Sequence, residues 1–171
     1  EYKFDLLSNF KSVEFHLSID GVYDLYELVR TQHNWDWWEE HHDRICKYDI
    51  QLSYACVAHV FNVHQLPEIL EYFWSQPGDF YFSTVNSHNH LGCELVPEGV
   101  ITEVINKLTE FDKPITKKER TNLNNIISHL KNRRDFRSDY NTKAFKSWMS
   151  VMPNIKGMDY QSYIPWDLNN V

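Results

Sequence analysis

The chain has 171 residues and a net charge of −7 at pH 7, and its composition is 42% hydrophobic and 15% aromatic. This length is enough for one domain with a sizeable core, whereas the acidic balance argues against a broad electrostatic grip on nucleic acid or on an anionic membrane. No apolar run approaches the roughly 20 residues that span a bilayer, and three widely spaced cysteines favour reduced thiols in a cytoplasmic protein.

The first predicted element is a strand over residues 13–21, because its apolar and polar residues alternate and Glu14, His16, Ser18 and Asp20 share its polar face. The strand ends in Asp20-Gly21 and is followed by a helical pattern, which is typical of a βα unit. In such a unit one face of the strand packs on helices, and an α/β barrel places its chemistry at the carboxyl ends of the strands. An edge strand with one hydrated face explains the same alternation equally well.

Four further elements complete the first half of the chain. We predict a helix over residues 34–47 with Asn34 as its N-cap, a buried strand from Ile50 to Val63, a helix that carries Pro67 in its first turn, and a strand over residues 80–86. This β-α-β-α-β order predicts parallel strands joined by right-handed crossovers.

From Pro97 onward the pattern is helical. We predict a helix with an apolar stripe over residues 100–111, a helix opened by the capping box Thr116–Glu119, and a last helix that ends at Pro153. The sequence is therefore divided into an α/β part, residues 1–96, and a helical extension, residues 97–171.

Three segments of the α/β part resemble one known family. Their most specific residues are Leu17-Ser18-Ile19-Asp20-Gly21, Tyr26-Glu27-Leu28-Val29-Arg30 and Trp35-Asp36. These residues resemble the middle of radical SAM enzymes, and most closely the group with an accessory twitch cluster domain. The likeness covers roughly residues 8–100 well and continues through further short matches at residues 60–63, 66–68, 85–86 and 95–97.

The resemblance implies a partial parallel (β/α) barrel, the second half of a radical SAM barrel, followed by the helical extension. It also implies reductive cleavage of S-adenosylmethionine at a 4Fe–4S cluster and radical chemistry on an unidentified small-molecule or peptide substrate. The sequence departs from the family because it contains neither the Cys-x3-Cys-x2-Cys loop that holds the cluster nor the Gly-Gly-Glu-Pro pattern. We therefore expect the carboxyl-terminal part of such an enzyme, inactive alone, with a degenerate homologue as the alternative.

The resemblance implies that four residues of this chain bind the cofactor. Ser18 would bond the ribose, Asp20 would shape the pocket floor, Arg30 would bind the methionyl carboxylate, and Asn62 would lie near the adenine or the substrate. Turn chemistry alone explains Ser18, Asp20 and Asn62 as well. For His59, a buried core position is the stronger expectation.

Several alternatives remain open for other residues. Arg30 could form a surface ion pair with Asp24 or Glu27. The groups 41–43 and 88–90 contain histidines that could serve a metal-dependent hydrolase, although two adjacent histidines on a helix point about 100° apart. A third reading is a non-catalytic module that self-associates through the open edge of a half-barrel.

Two aromatic and charged groups have simpler interpretations. Trp35 and Trp38 are predicted to lie in the core, with Trp37 partly exposed. The basic residues 133–137 are predicted to form a solvated helix end.

Overall fold

The computed structural model describes residues 6–30, 32–85, 89–133, 138–156 and 159–167. These residues form a mixed α/β fold around a small open sheet of three strands: β1 (Glu14–Ser18), β2 (Gln51–Ala58) and β3 (Asp79–Thr84). The strand order is β1-β2-β3 and both pairs are parallel, which confirms the prediction from the β-α-β-α-β pattern.

Six α-helices accompany the sheet in the described ranges. They are α1 (Tyr23–Val29), α2 (Trp35–Ile45), α3 (Leu66–Trp74), α4 (Glu98–Thr109), α5 (Lys117–Asn132) and α6 (Asp139–Lys156). No helix among the described residues combines the length and the apolar character that a membrane crossing requires.

The predicted helix starts are confirmed by their side-chain caps. Asn34 accepts the backbone N–H of Trp37 at 2.9 Å and so begins α2. The Thr116 hydroxyl accepts the N–H of Glu119 while the Glu119 carboxylate accepts the N–H of Thr116, which is the complete capping box of α5.

Two predicted ends are wrong. Strand β2 ends at Ala58 and not at Val63, because the Asn62 side chain accepts the N–H of His59 at 2.8 Å and turns the chain away from the sheet. The last helix does not end at Pro153 but continues to Lys156. The predicted third strand extends to Asn86, which lies outside the described residues.

The buried face of the sheet packs on the helices. Its strand residues alternate inward, as Tyr54, Cys56 and Phe82 show, and they join an aromatic group on α2 and α3. Trp35 and Trp38 stack with ring centroids 4.9 Å apart and are buried, whereas Trp37 is 55% exposed. This arrangement confirms the predicted core.

The opposite face of the sheet is polar and largely uncovered. The register places residues that share this face side by side across the strands, namely Glu14 with Gln51, His16 with Ser53 and Asp79, and Ser18 with Ala55 and Tyr81. Glu14, His16 and Ser18 are exposed. The alternation predicted for the first strand therefore separates a covered face from a hydrated one.

The outer edge of β3 is closed by a side chain. The Asn122 amide of α5 accepts the N–H of Phe82 at 2.6 Å and donates to the carbonyl of Phe82 at 2.9 Å. The amide thus makes both hydrogen bonds that another strand would make to that residue.

Candidate functional site

The carboxyl ends of β1 and β2 meet at Asp20. Its Oδ1 accepts the backbone N–H of Val57 at 3.1 Å, and its carbonyl accepts Nδ2 of Asn62 at 2.9 Å. In parallel sheets, ligands bind in the crevice outside this edge. The structure therefore places two of the four predicted site residues together at the edge where chemistry is expected.

Arg30 completes this cluster. Its Nη2 lies 2.7 Å from Asp20 Oδ2, and the two side chains are 29% and 15% exposed. The partner is Asp20 rather than Asp24 or Glu27, which the alternative reading favoured; Glu27 instead accepts the N–H of Trp35 at 2.8 Å. The Nε of Arg30 is buried and has no hydrogen-bond partner among the described residues. The guanidinium thus keeps donors that a carboxylate could use.

Asn62 is fully buried, and both the nitrogen and the oxygen of its side-chain amide are hydrogen-bonded to backbone groups. Nδ2 donates to the carbonyls of Asp20 and Val57, at 2.9 and 2.8 Å, while Oδ1 accepts the N–H of His59 at 2.8 Å. These bonds are those of a turn-forming residue. Asn62 therefore holds the ends of the two strands together and positions the other groups.

Gly21 allows helix α1 to approach Asp20. A Cβ at this position would lie 2.9 Å from the backbone nitrogen of Tyr26 and 3.0 Å from the carbonyl carbon of Leu25. Since real Cβ atoms do not approach backbone so closely, only glycine at position 21 allows the backbone of α1 to lie this near. Arg30, the C-cap residue of α1, is brought within reach of Asp20 in this way.

Ser18 is the one predicted site residue that the cluster does not include. It ends β1 on the uncovered face, beside Ala55, and is exposed to solvent. Asp20, two positions later, instead turns its carboxylate toward the end of β2. The predicted set is thus divided between a hydrogen-bonded group and a hydroxyl on the open face.

His59 lies beside the same cluster and is 8% exposed, as expected for a core histidine. Its Nδ1 accepts the backbone N–H of Phe61 at 3.2 Å. Burial lowers the pKa of His59 to about 4, and the charges of Asp20 and Arg30 act on the ring in opposite directions. The sequence signal for this residue is its position inside the predicted strand 50–63, two positions before Phe61.

The described residues do not fit an iron–sulfur cluster. Cys56 and Cys93 are buried, and burial raises the pKa of Cys93 to about 12 and that of Cys56 well above its usual value. The pKa of Cys46 is also raised by burial. Cluster iron needs thiolates, and no group of three or more metal-ligating side chains occurs in the described ranges.

The histidine groups offer little support for a hydrolase. His42 is buried, with Nε2 2.7 Å from the Tyr54 hydroxyl, and its ring stacks on Trp38. His41 Nδ1 lies 2.7 Å from the Trp37 carbonyl. His88 is outside the described residues.

The prediction that residues 133–137 form a solvated helix end is wrong for Arg133. Arg133 is 3% exposed, donating to Glu98 at 2.6 Å and to the Leu130 carbonyl at 3.1 Å, and is not solvated. Residues 134–137 of the same predicted group lie outside the described ranges.

A cavity of about 440 Å³ opens at the other end of the sheet. Its lining includes His16, Ser53 and Asp79 of the three strands and Lys118 of α5. These groups are paired with one another, with Ser53 Oγ 2.6 Å from His16 Nδ1 and Lys118 Nζ 2.6 Å from Asp79. The carboxyl edge is the better candidate, because parallel sheets bind their ligands there and because Arg30 keeps an unused donor.

Comparisons with protein-family models, with curated proteins and with solved structures find no match to this chain.

Proposed function

We propose that this chain forms the second half of a radical SAM barrel and supplies one side of its S-adenosylmethionine pocket. The observation that carries the proposal is the meeting of Asp20, Arg30 and Asn62 at the carboxyl edge of a parallel sheet. These residues are 42 positions apart at most in the sequence, and all three come from the motifs that resemble the family.

Arg30 is the residue that binds the methionyl carboxylate in this proposal. A guanidinium and a carboxylate form two parallel hydrogen bonds, which are stronger in a partly dry site than in water. Asp20 holds one Nη of the guanidinium, so the side chain is fixed before the ligand arrives. Ser18 lies on the uncovered face, where its hydroxyl is open to a ribose.

The proposal for this chain is confined to binding and orienting the cofactor. When bound, S-adenosylmethionine supplies a source of radical chemistry in the family that the chain resembles. The iron–sulfur cluster needed there does not fit the described residues, so we assign this chain no step at a cluster. The substrate would be a small molecule or a peptide.

The test is an anaerobic calorimetric titration of the chain with S-adenosylmethionine. We expect saturable binding that Arg30→Ala weakens about 10- to 100-fold, because a hydrogen bond to a charged group contributes about 1.5–3 kcal/mol. Arg44→Ala, which removes an arginine from α2, is the matched control and should leave the affinity unchanged. Absence of binding, or equal affinity in the Arg30 variant, would refute the proposal.

A second candidate function is a non-catalytic module that associates through β1. Asn122 closes the outer edge of β3, whereas β1 has a strand neighbour on one side only in the described structure. The N–H of Ile19 and the carbonyl of Val13 face β2, so the even-numbered residues of β1 present their backbone groups outward.

Light scattering after size exclusion tests this candidate. We expect a concentration-dependent dimer that His16→Pro abolishes, because the substitution removes an outward N–H. A monomer at every concentration would reject association through β1.

A further inference from the structure

The orientation of the His59 ring is fixed by the turn that follows β2. Its Nδ1 accepts the N–H of Phe61 at 3.2 Å, while its own backbone N–H donates to Asn62 Oδ1 at 2.8 Å. A backbone N–H can only donate, so Nδ1 is the nitrogen without a proton. The neutral ring therefore carries its proton on Nε2.

The surroundings keep this imidazole neutral. The side chain is buried, and the ring contacts Phe61 edge-on at a centroid distance of 6.1 Å. Burial lowers the pKa of His59 to about 4, far below pH 7. The ring is thus an uncharged donor, on a residue whose backbone N–H is bonded to Asn62 Oδ1 while the Asn62 amide in turn donates to the carbonyl of Asp20.

Neither Arg30 nor Asn62 is suited to bind an uncharged acceptor of a ligand. Arg30 suits a carboxylate, and the Asn62 amide is used by the backbone. A nucleoside presents uncharged acceptors, namely ribose oxygens and adenine nitrogens. A neutral N–H donor on a rigid turn is suited to such an acceptor, because it adds a hydrogen bond without a second charge.

We propose that His59 is a specificity-determining residue of the pocket, donating Nε2–H to an acceptor atom in the adenosine part of the bound cofactor. This inference rests on the proposed function. It assigns the adenosine part to His59 and the methionyl carboxylate to Arg30. The two residues therefore respond to different parts of one ligand.

The first test compares two variants in titrations with S-adenosylmethionine and with 5′-methylthioadenosine, which lacks the methionyl carboxylate. His59→Phe keeps the ring but loses the donor, and we expect it to weaken both ligands about 3- to 10-fold, the range of one uncharged hydrogen bond. His59→Gln retains an N–H donor and should restore most of the affinity. Arg30→Ala should weaken S-adenosylmethionine only.

Two controls separate binding from folding. His41→Phe, on the surface of α2, should leave both affinities unchanged, and thermal unfolding followed by circular dichroism reports whether each variant is folded. If His59→Phe does not fold, the comparison of wild type with His59→Gln and the spectroscopic test below decide the matter.

The second test is long-range ¹H–¹⁵N NMR of the labelled chain, which reports the tautomer directly. We expect the Nε2–H form without ligand, and a shift of the His59 Nε2 proton on addition of 5′-methylthioadenosine. An Nδ1–H tautomer, or ligand binding that leaves this resonance and the His59→Phe affinity unchanged, would overturn the inference while leaving the proposed function intact. Failure of S-adenosylmethionine to bind would overturn both.

Discussion

Asn62→Ala is the substitution that most directly tests how the carboxyl edge is built. The amide satisfies three backbone groups, namely the carbonyls of Asp20 and Val57 and the N–H of His59. Alanine would leave these groups without that partner in a buried region. Each unsatisfied buried group costs about 1–3 kcal/mol, so for three groups we expect a loss of about 3–9 kcal/mol.

Such a loss is a large part of the roughly 5–15 kcal/mol that stabilises a typical domain. Urea unfolding followed by tryptophan fluorescence measures it, because Trp35 and Trp38 are buried next to the sheet. Asn125→Ala, at an exposed position of α5, is the matched control and should change stability by less than about 0.5 kcal/mol. A loss below about 1 kcal/mol for Asn62→Ala would show that the amide does not hold the strand ends together.

Three further predictions concern backbone fit, the sheet edge and pH. Gly21→Ala should destabilise the chain by about 1–3 kcal/mol, since the new Cβ overlaps the backbone of α1, and chemical denaturation measures this. Asn122→Ala should cost about 1–3 kcal/mol and raise the rate of aggregation seen by light scattering, because it opens the edge of β3. Burial lowers the pKa of both His59 and His64 to about 4, so their neutral forms stabilise the fold above about pH 6.5 and this contribution falls as pH drops toward 4.

Each of these predictions has a contradicting outcome. Wild-type stability in Gly21→Ala would mean that α1 shifts without cost, and unchanged solubility in Asn122→Ala would mean that the edge is protected by something else. For the pH prediction, the free energy of unfolding is measured from pH 7.5 to 4.5 in wild type and in His64→Phe. The variant should lose part of the acid-induced decline, and identical profiles would reject the assignment.

The local parts of this fold could be predicted from the sequence. Alternation of apolar residues predicts the first strand, and the β-α-β-α-β order predicts the parallel pairing. The caps at Asn34 and Thr116 are predictable because each acts within three residues of the chain. The end of β2 was missed because strand propensity continues past Ala58, while the turn depends on the side chain of Asn62.

The contacts of the charged residues were harder to predict because they depend on tertiary packing. Arg30 had acidic neighbours on its own helix, but the fold pairs it with Asp20 across the turn at Gly21. Arg133 stood in a charged run and yet is buried against Glu98, 35 residues away in the sequence. A sequence shows which charged residues are close along the chain. It does not show which of them become buried when the chain folds.

The two faces of the sheet carry unequal shares of its stability. The buried apolar residues of β2 and β3 on the side of the helices are Leu52, Tyr54, Cys56, Ala58, Phe80 and Phe82, whereas on the other side Glu14 is exposed and Ser53 is buried. Most hydrated-side residues of the strands can therefore be exchanged at small energetic cost while the helices preserve the architecture. Such a scaffold lets selection alter the side chains on one side of the sheet without rebuilding the packing that folds the other side.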